Sequence, residues 1–221
     1  MHFEASGNLM IDARFQRLSY HACKPSYSLT SMSDCGTPHH LRAVKEALTK
    51  RCHAADIPAT SGTDVYALHL SNPQAFPQIE VDSSGLLYVG MTEDSLEARN
   101  HFGHKDSSFS SPRRSLGAIL KQELGLKAIP RGSGKSLKDM THFRFARDGE
   151  QRLTTWMIEH LEYSSVVLVD GIGDVERVLI NCLRPPLNLD KWKNPQRAAI
   201  MRLRKACADE ARCPVTPPEQ P

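Results

Sequence analysis

Apolar positions along this chain fall into short runs and helical stripes, each bounded by turn residues. Two runs of strand character come first: Val65, Tyr66, Ala67 and Leu68, then Leu86, Leu87, Tyr88, Val89 and Gly90. Both are short and partly β-branched or aromatic, which is how a strand reads. The polar, proline-containing connection over residues 71–85 is longer than a tight hairpin needs. Residues 163–170, with Val166, Val167, Leu168 and Val169 in succession, read as the centre of a sheet. Residues 141–146 alternate weakly, as a short edge strand does.

Helical spacing fills the intervals. Thr37 and Pro38 start a helix with Leu41, Val44 and Leu48 on one side. Thr92 or Asp94 caps a second, with Leu96 and Phe102 inward and Arg99 projecting elsewhere. Residues 113–124 carry the stripe Leu116, Ile119, Leu120 and Leu124 and stop at Gly125; residues 150–161 carry Leu153, Trp156, Met157 and Leu161. Gly171 and Gly173 then turn the chain, and Asp174 caps a helix ending near Arg184, before Pro185 and Pro186. Asn194 and Pro195 open a last helix that runs to about Arg212. The expected fold is α+β, a small antiparallel sheet flanked by helices, with extra N- and C-terminal helices.

With 221 residues and 40% apolar composition, the chain is long enough for one cored domain with appendages. The pattern places a disordered segment at 1–36, with Met32 as an alternative start, and a helix and linker at 37–60. It places the main domain at 61–195, a basic helix at 196–213 and a proline-rich tail at 214–221. Six cysteines show no metal-site spacing and read as reduced thiols. No apolar run approaches the ~20 residues that span a bilayer, and no secretory signal opens the chain. A cytoplasmic protein without a membrane partner is expected.

A formal net charge of +3 does not by itself announce a nucleic-acid partner, so any basic footprint must come from placement. Arg113 and Arg114 sit at a helix start, where they oppose the dipole and suit an anionic ligand, or merely the surface. With Arg131, Lys135, Lys138, Arg144 and Arg147 they could track a phosphate backbone. Residues 131–136 imitate a P-loop, but Ile129 stands where that motif needs its first glycine, so a basic loop is the reading. Glu176 shares a helix face with Leu179, Ile180 and Leu183, so its carboxylate lies at the edge of a packed stripe. A charge there needs a partner, either an arginine or a hard divalent cation such as Mg²⁺.

Asp64-Val65-Tyr66 and Tyr88-Val89-Gly90, followed by Arg99, Glu176 and Asn188 in order, resemble the motifs of the GIY-YIG nucleases. Residues 175–188 match the family's closing motif and residues 110–118 resemble a bacterial branch; the likeness spans about residues 63–195. Asp64 departs from the usual glycine. The resemblance implies a metal-dependent DNA endonuclease in which Tyr66, Tyr88, Arg99 and Glu176 meet on one face. Tyr66 would help deprotonate water, Arg99 would hold the phosphate, and Glu176 would bind Mg²⁺ (or Mn²⁺). Either His101 or His104 would assist proton transfer, and Asn188 would fix the backbone around the site. A nucleic-acid-binding module of the same fold without catalysis is the alternative, and Asp64 favours it.

Overall fold

The computed structural model describes residues 38–53, 56–57, 62–94, 96, 100–104, 106–168 and 171–212. In chain order these form α1 (Pro38–Ala47), β1 (Cys52–His53), β2 (Asp64–Leu70), β3 (Leu86–Thr92), α2 (Ser111–Ile119), β4 (Ala128–Ile129) and α3 (Leu137–Thr141). There follow β5 (Arg144–Phe145), α4 (Arg147–His160), β6 (Leu161–Val167), α5 (Ile172–Leu183) and α6 (Arg197–Glu210). A wholly antiparallel sheet in the order β1-β6-β2-β3 forms the centre, and β4 and β5 pair as a separate ribbon. Among the described residues no helix is long and apolar enough to cross a membrane.

β2 is the innermost strand, buried along its whole length. Its alternation sends Tyr66, Leu68 and Leu70 to one face and Val65 and Ala67 to the other. The first face packs with Leu116 of α2 and Leu120 just after it, with Leu153, Trp156 and Met157 of α4, and with Ile200 and Cys207 of α6. The second packs with Val44 and Leu48 from the α1 region and with Val175, Leu179 and Ile180 of α5. The long connection into β3 closes at Gly85, whose φ is 67° and whose carbonyl accepts from the Leu70 amide at 2.7 Å. A Cβ there would lie 2.5 Å from the Leu70 carbonyl oxygen, so only glycine fits.

Several elements differ from the sequence pattern for local reasons. The helix expected after Thr92 is not formed by the described residues of 93–104; β3 runs on to Thr92, and the Asn100 side chain accepts from the Phe102 and Gly103 amides. Such side-chain turns compete with helical bonding. The strand expected over 141–146 shrinks to β5, because Ser136 and Asp139 form a capping box that starts α3. α5 is capped by Gly171, with φ 65°, and Asp174 lies inside its first turn, paired with Arg177. α6 packs into the same core as the sheet through Ile200, Cys207 and Ala208. Residues 1–37 and 213–221, and the expectations for them, lie outside the described residues.

Arg113, expected to face DNA, is a correction: it is 0% exposed and forms an ion pair with Glu150 at 2.8 Å. The helix begins at Ser111, with Ser110 as its cap, so Arg113 falls on the inward side of the first turn. Its guanidinium also donates to the His101 carbonyl at 3.0 Å and to Thr154 Oγ1 at 3.0 Å. Glu150 accepts from the amides of Ser107 and Phe145, each at 2.9 Å, and from the Ser107 hydroxyl at 3.0 Å. Removing one member of such a buried pair strands a charge. Glu150→Ala should therefore lower unfolding free energy by about 3–5 kcal/mol in denaturant titration; a loss below about 1 kcal/mol would show that the pair is incidental.

Candidate active site

Tyr66 enters the site from the most buried strand, and its phenol oxygen lies 2.8 Å from His101 Nε2. His101 is itself buried, and its Nδ1 lies 2.8 Å from Ser110 Oγ, the oxygen that also accepts from the Arg113 amide at 3.2 Å. A chain of polar groups thus runs from Tyr66 through His101 to the cap of α2. Tyr66 stacks on Tyr163 at 5.7 Å between ring centroids. Burial, with Tyr66 and Asp64 nearby, pushes the Tyr163 phenol far above its ordinary value, so this neighbour stays neutral.

Gly90 makes room for the Tyr66 ring. It pairs with Tyr66 across β2 and β3, and a Cβ on it would lie 2.6 Å from both the ring and the hydroxyl of Tyr66. Tyr88, two positions earlier on β3, stands edge-on to His101, with centroids 5.8 Å apart. The His104 ring lies 5.5 Å from that of His101. His101 is in hydrogen-bond contact with Tyr66.

Asn188 acts on the open edge of β3. Its carboxamide accepts from the Val89 amide at 2.9 Å and donates to the Val89 carbonyl at 2.8 Å, while the Leu187 amide reaches the Leu87 carbonyl at 2.9 Å. The loop after Pro186 therefore stands in for a further strand beside Tyr88. Glu176 is 5% exposed and forms an ion pair with Lys191, a residue whose own φ is 73°. α5 packs on the sheet face opposite to Tyr66, yet Glu176 and both tyrosines line one cleft.

Tyr66, Tyr88, His101 and Glu176 line one cleft of about 530 Å³. Arg114, Arg131, Lys138 and His142 also line it. Burial, then Arg204 and Arg131, push the Arg114 guanidinium down to about 10, and burial with Arg114 and Arg131 lowers His142. Tyr88 and Glu176 also line a second cleft of about 300 Å³, shared with Arg197 and Arg204 of α6. Lys135 is exposed on the loop before α3 and is not among the residues lining either cleft. Arg99 lies outside the described residues.

Sequence reasoning missed Ser110, although Ser110, Ser111 and Pro112 form a cap signal ahead of the apolar stripe. It also missed Lys191, for which spacing gave no signal, and His142.

The family model of the GIY-YIG catalytic domain matches residues 64–206, well over half of the 221 residues, and the chain belongs to this family of the GIY-YIG nuclease superfamily. The family's activity is endonucleolytic, which makes nucleic acid the substrate class. No curated protein and no solved structure matches the chain.

Gly90→Ala places a methyl against the Tyr66 phenol. It should cost about 1–3 kcal/mol in thermal or denaturant unfolding, as overpacking does. A crystal structure of the variant should show the Tyr66–His101 bond broken. An unchanged bond with unchanged stability would contradict the close fit.

Proposed function

We propose that this chain is a metal-dependent DNA endonuclease that hydrolyses phosphodiester bonds. The observation supporting this most directly is the Tyr66–His101–Ser110 chain, whose Tyr66 and His101 line the same cleft as Glu176. An isolated phenol, with a pKa of about 10, is a poor base at neutral pH. A histidine bonded to it changes that, because the proton has somewhere to go.

Ser110 Oγ has two lone pairs, one taken by the Arg113 amide. The other accepts His101 Nδ1–H, which leaves Nε2 to accept from the Tyr66 hydroxyl. As water attacks phosphorus, Tyr66 takes its proton and passes its own to His101. The phosphorus–oxygen bond opposite the water breaks, and the departing alkoxide is protonated from solvent. Tyr88 borders the attacked phosphate. Arg99, assigned by its motif position alone, holds that phosphate with its forked donors.

The donor set for a metal is one carboxylate. Glu176 faces the cleft with Lys191 as its partner among the described residues, and one carboxylate with water and phosphate oxygens is a common Mg²⁺ shell. Mg²⁺ or Mn²⁺ bound there would supply Lewis-acid stabilisation of the leaving oxygen. The Lys191 ammonium already places a cation at that carboxylate, and its half-exposed side chain has solvent to withdraw into.

Incubation of supercoiled plasmid and short branched DNA with Mg²⁺ or with chelator tests the reading. The wild type should cut only with metal, and Glu176→Ala should cut at least about 100-fold more slowly, equivalent to about 2.7 kcal/mol of barrier. Cutting that survives in the variant would overturn the role of Glu176. Equal DNA binding by both proteins with no cutting would favour the non-catalytic module.

A further inference from the structure

Phe109 is 66% exposed, yet the turn that carries it is among the most heavily braced segments of the chain. Ser107–Phe109 is a 3-10 turn capped by Asp106, whose side chain accepts from the Ser108 amide. Glu150 holds its first amide and hydroxyl, and Arg114 donates to the carbonyls of Ser107 and Ser108. A single exposed apolar side chain is ordinary; this one is distinguished by its rigid mount and its charged neighbours. Arg131 lies against the ring, with its guanidinium carbon 5.7 Å from the centroid. Ser110 follows immediately in the chain, so the ring is one residue away from the group that contacts His101.

The surroundings indicate what covers it. Phe109 lines the same cleft as Tyr66 and Glu176, beside Arg114, Arg131 and Lys138. Among the described residues none of these three cations forms a salt bridge. Arg114 is more than nine-tenths buried and its Nε has no hydrogen-bond partner. Buried donors are almost always satisfied, and a group of cations with no ion-pair partner among the described residues suits an anion. An aromatic face beside anion-seeking guanidinium groups matches the two parts of a nucleotide, its base and its phosphate.

We propose that Phe109, Arg114, Arg131 and Lys138 form a nucleotide subsite that stacks an unpaired base on Phe109 while the cations hold its phosphate. Bases inside a duplex have both faces occupied by neighbours, so the subsite takes a single strand, a flap or a branch point in preference to continuous duplex. The inference rests on the nuclease reading and supplies its substrate class: DNA with an unstacked base beside the bond to be cut.

The test is binding in chelator, where no cleavage is needed. Labelled single-stranded and flapped oligonucleotides and a blunt duplex of the same length, each with 2-aminopurine, are titrated with wild type, Phe109→Ala and Phe109→Trp. Wild type should prefer the unpaired substrates and change the 2-aminopurine emission. Phe109→Ala should weaken that binding about tenfold, the loss of one base–aromatic stack, with duplex affinity unchanged. Phe109→Trp should retain the preference. If wild type binds unpaired and duplex DNA but Phe109→Ala lowers neither or both alike, the subsite is refuted while the nuclease reading stands. If wild type binds none of the three, both fail.

Discussion

The buried ion pair between Arg113 and Glu150 is the contact on which the site depends. Its two side chains reach the His101 carbonyl, the Ser107 amide and hydroxyl, the Phe145 amide and Thr154, so they join α2, α4, β5 and two loops at one point. A fully buried guanidinium is tolerated only where a carboxylate and several oxygens replace water. That demand orders the chain around it. The same pair fixes the backbone of His101 on one side and, through the start of α2, the Ser110 hydroxyl on the other. The imidazole is thus held from both ends before it meets Tyr66.

The second constraint is the edge of the sheet. Among the described residues β3 leaves one side without a strand partner, and exposed strand edges are reactive surfaces. Here Asn188 and Leu187 satisfy part of that edge. This brings the loop carrying Lys191 beside α5, where Lys191 reaches Glu176. The helix that carries the carboxylate and the strand that carries Tyr66 pack on opposite faces of the sheet, yet their side chains line one cleft. Separate layers allow a cation at Glu176 without disturbing the apolar packing beneath Tyr66.

The strands β2, β3 and β6, the helices α4 and α5, and the motif residues on them were legible in the sequence, because each carries its own periodicity and its packing follows that period; the two-residue strands β1 and β4 are too short to carry one. What was not legible depended on contacts between distant segments. Arg113 read as a surface cation because Glu150, 37 positions away, was invisible to local pattern. The position of His101 beside Tyr66 follows from a turn shaped by the Asn100 side chain, which no local periodicity announces. The packing of α5 on the sheet face opposite to Tyr66 required the two cores to be distinguished, and the hydrophobic stripe alone names a buried face without naming the layer.

The central claim is that His101 makes the Tyr66 phenol a usable base. It is tested most directly by the pH dependence of single-turnover DNA cleavage for wild type, His101→Gln and Tyr66→Phe. The account predicts that the rising limb of the wild-type profile moves upward in His101→Gln, towards the ordinary phenol value of about 10, and is absent in Tyr66→Phe. A His101→Gln profile that superimposes on that of the wild type would contradict it.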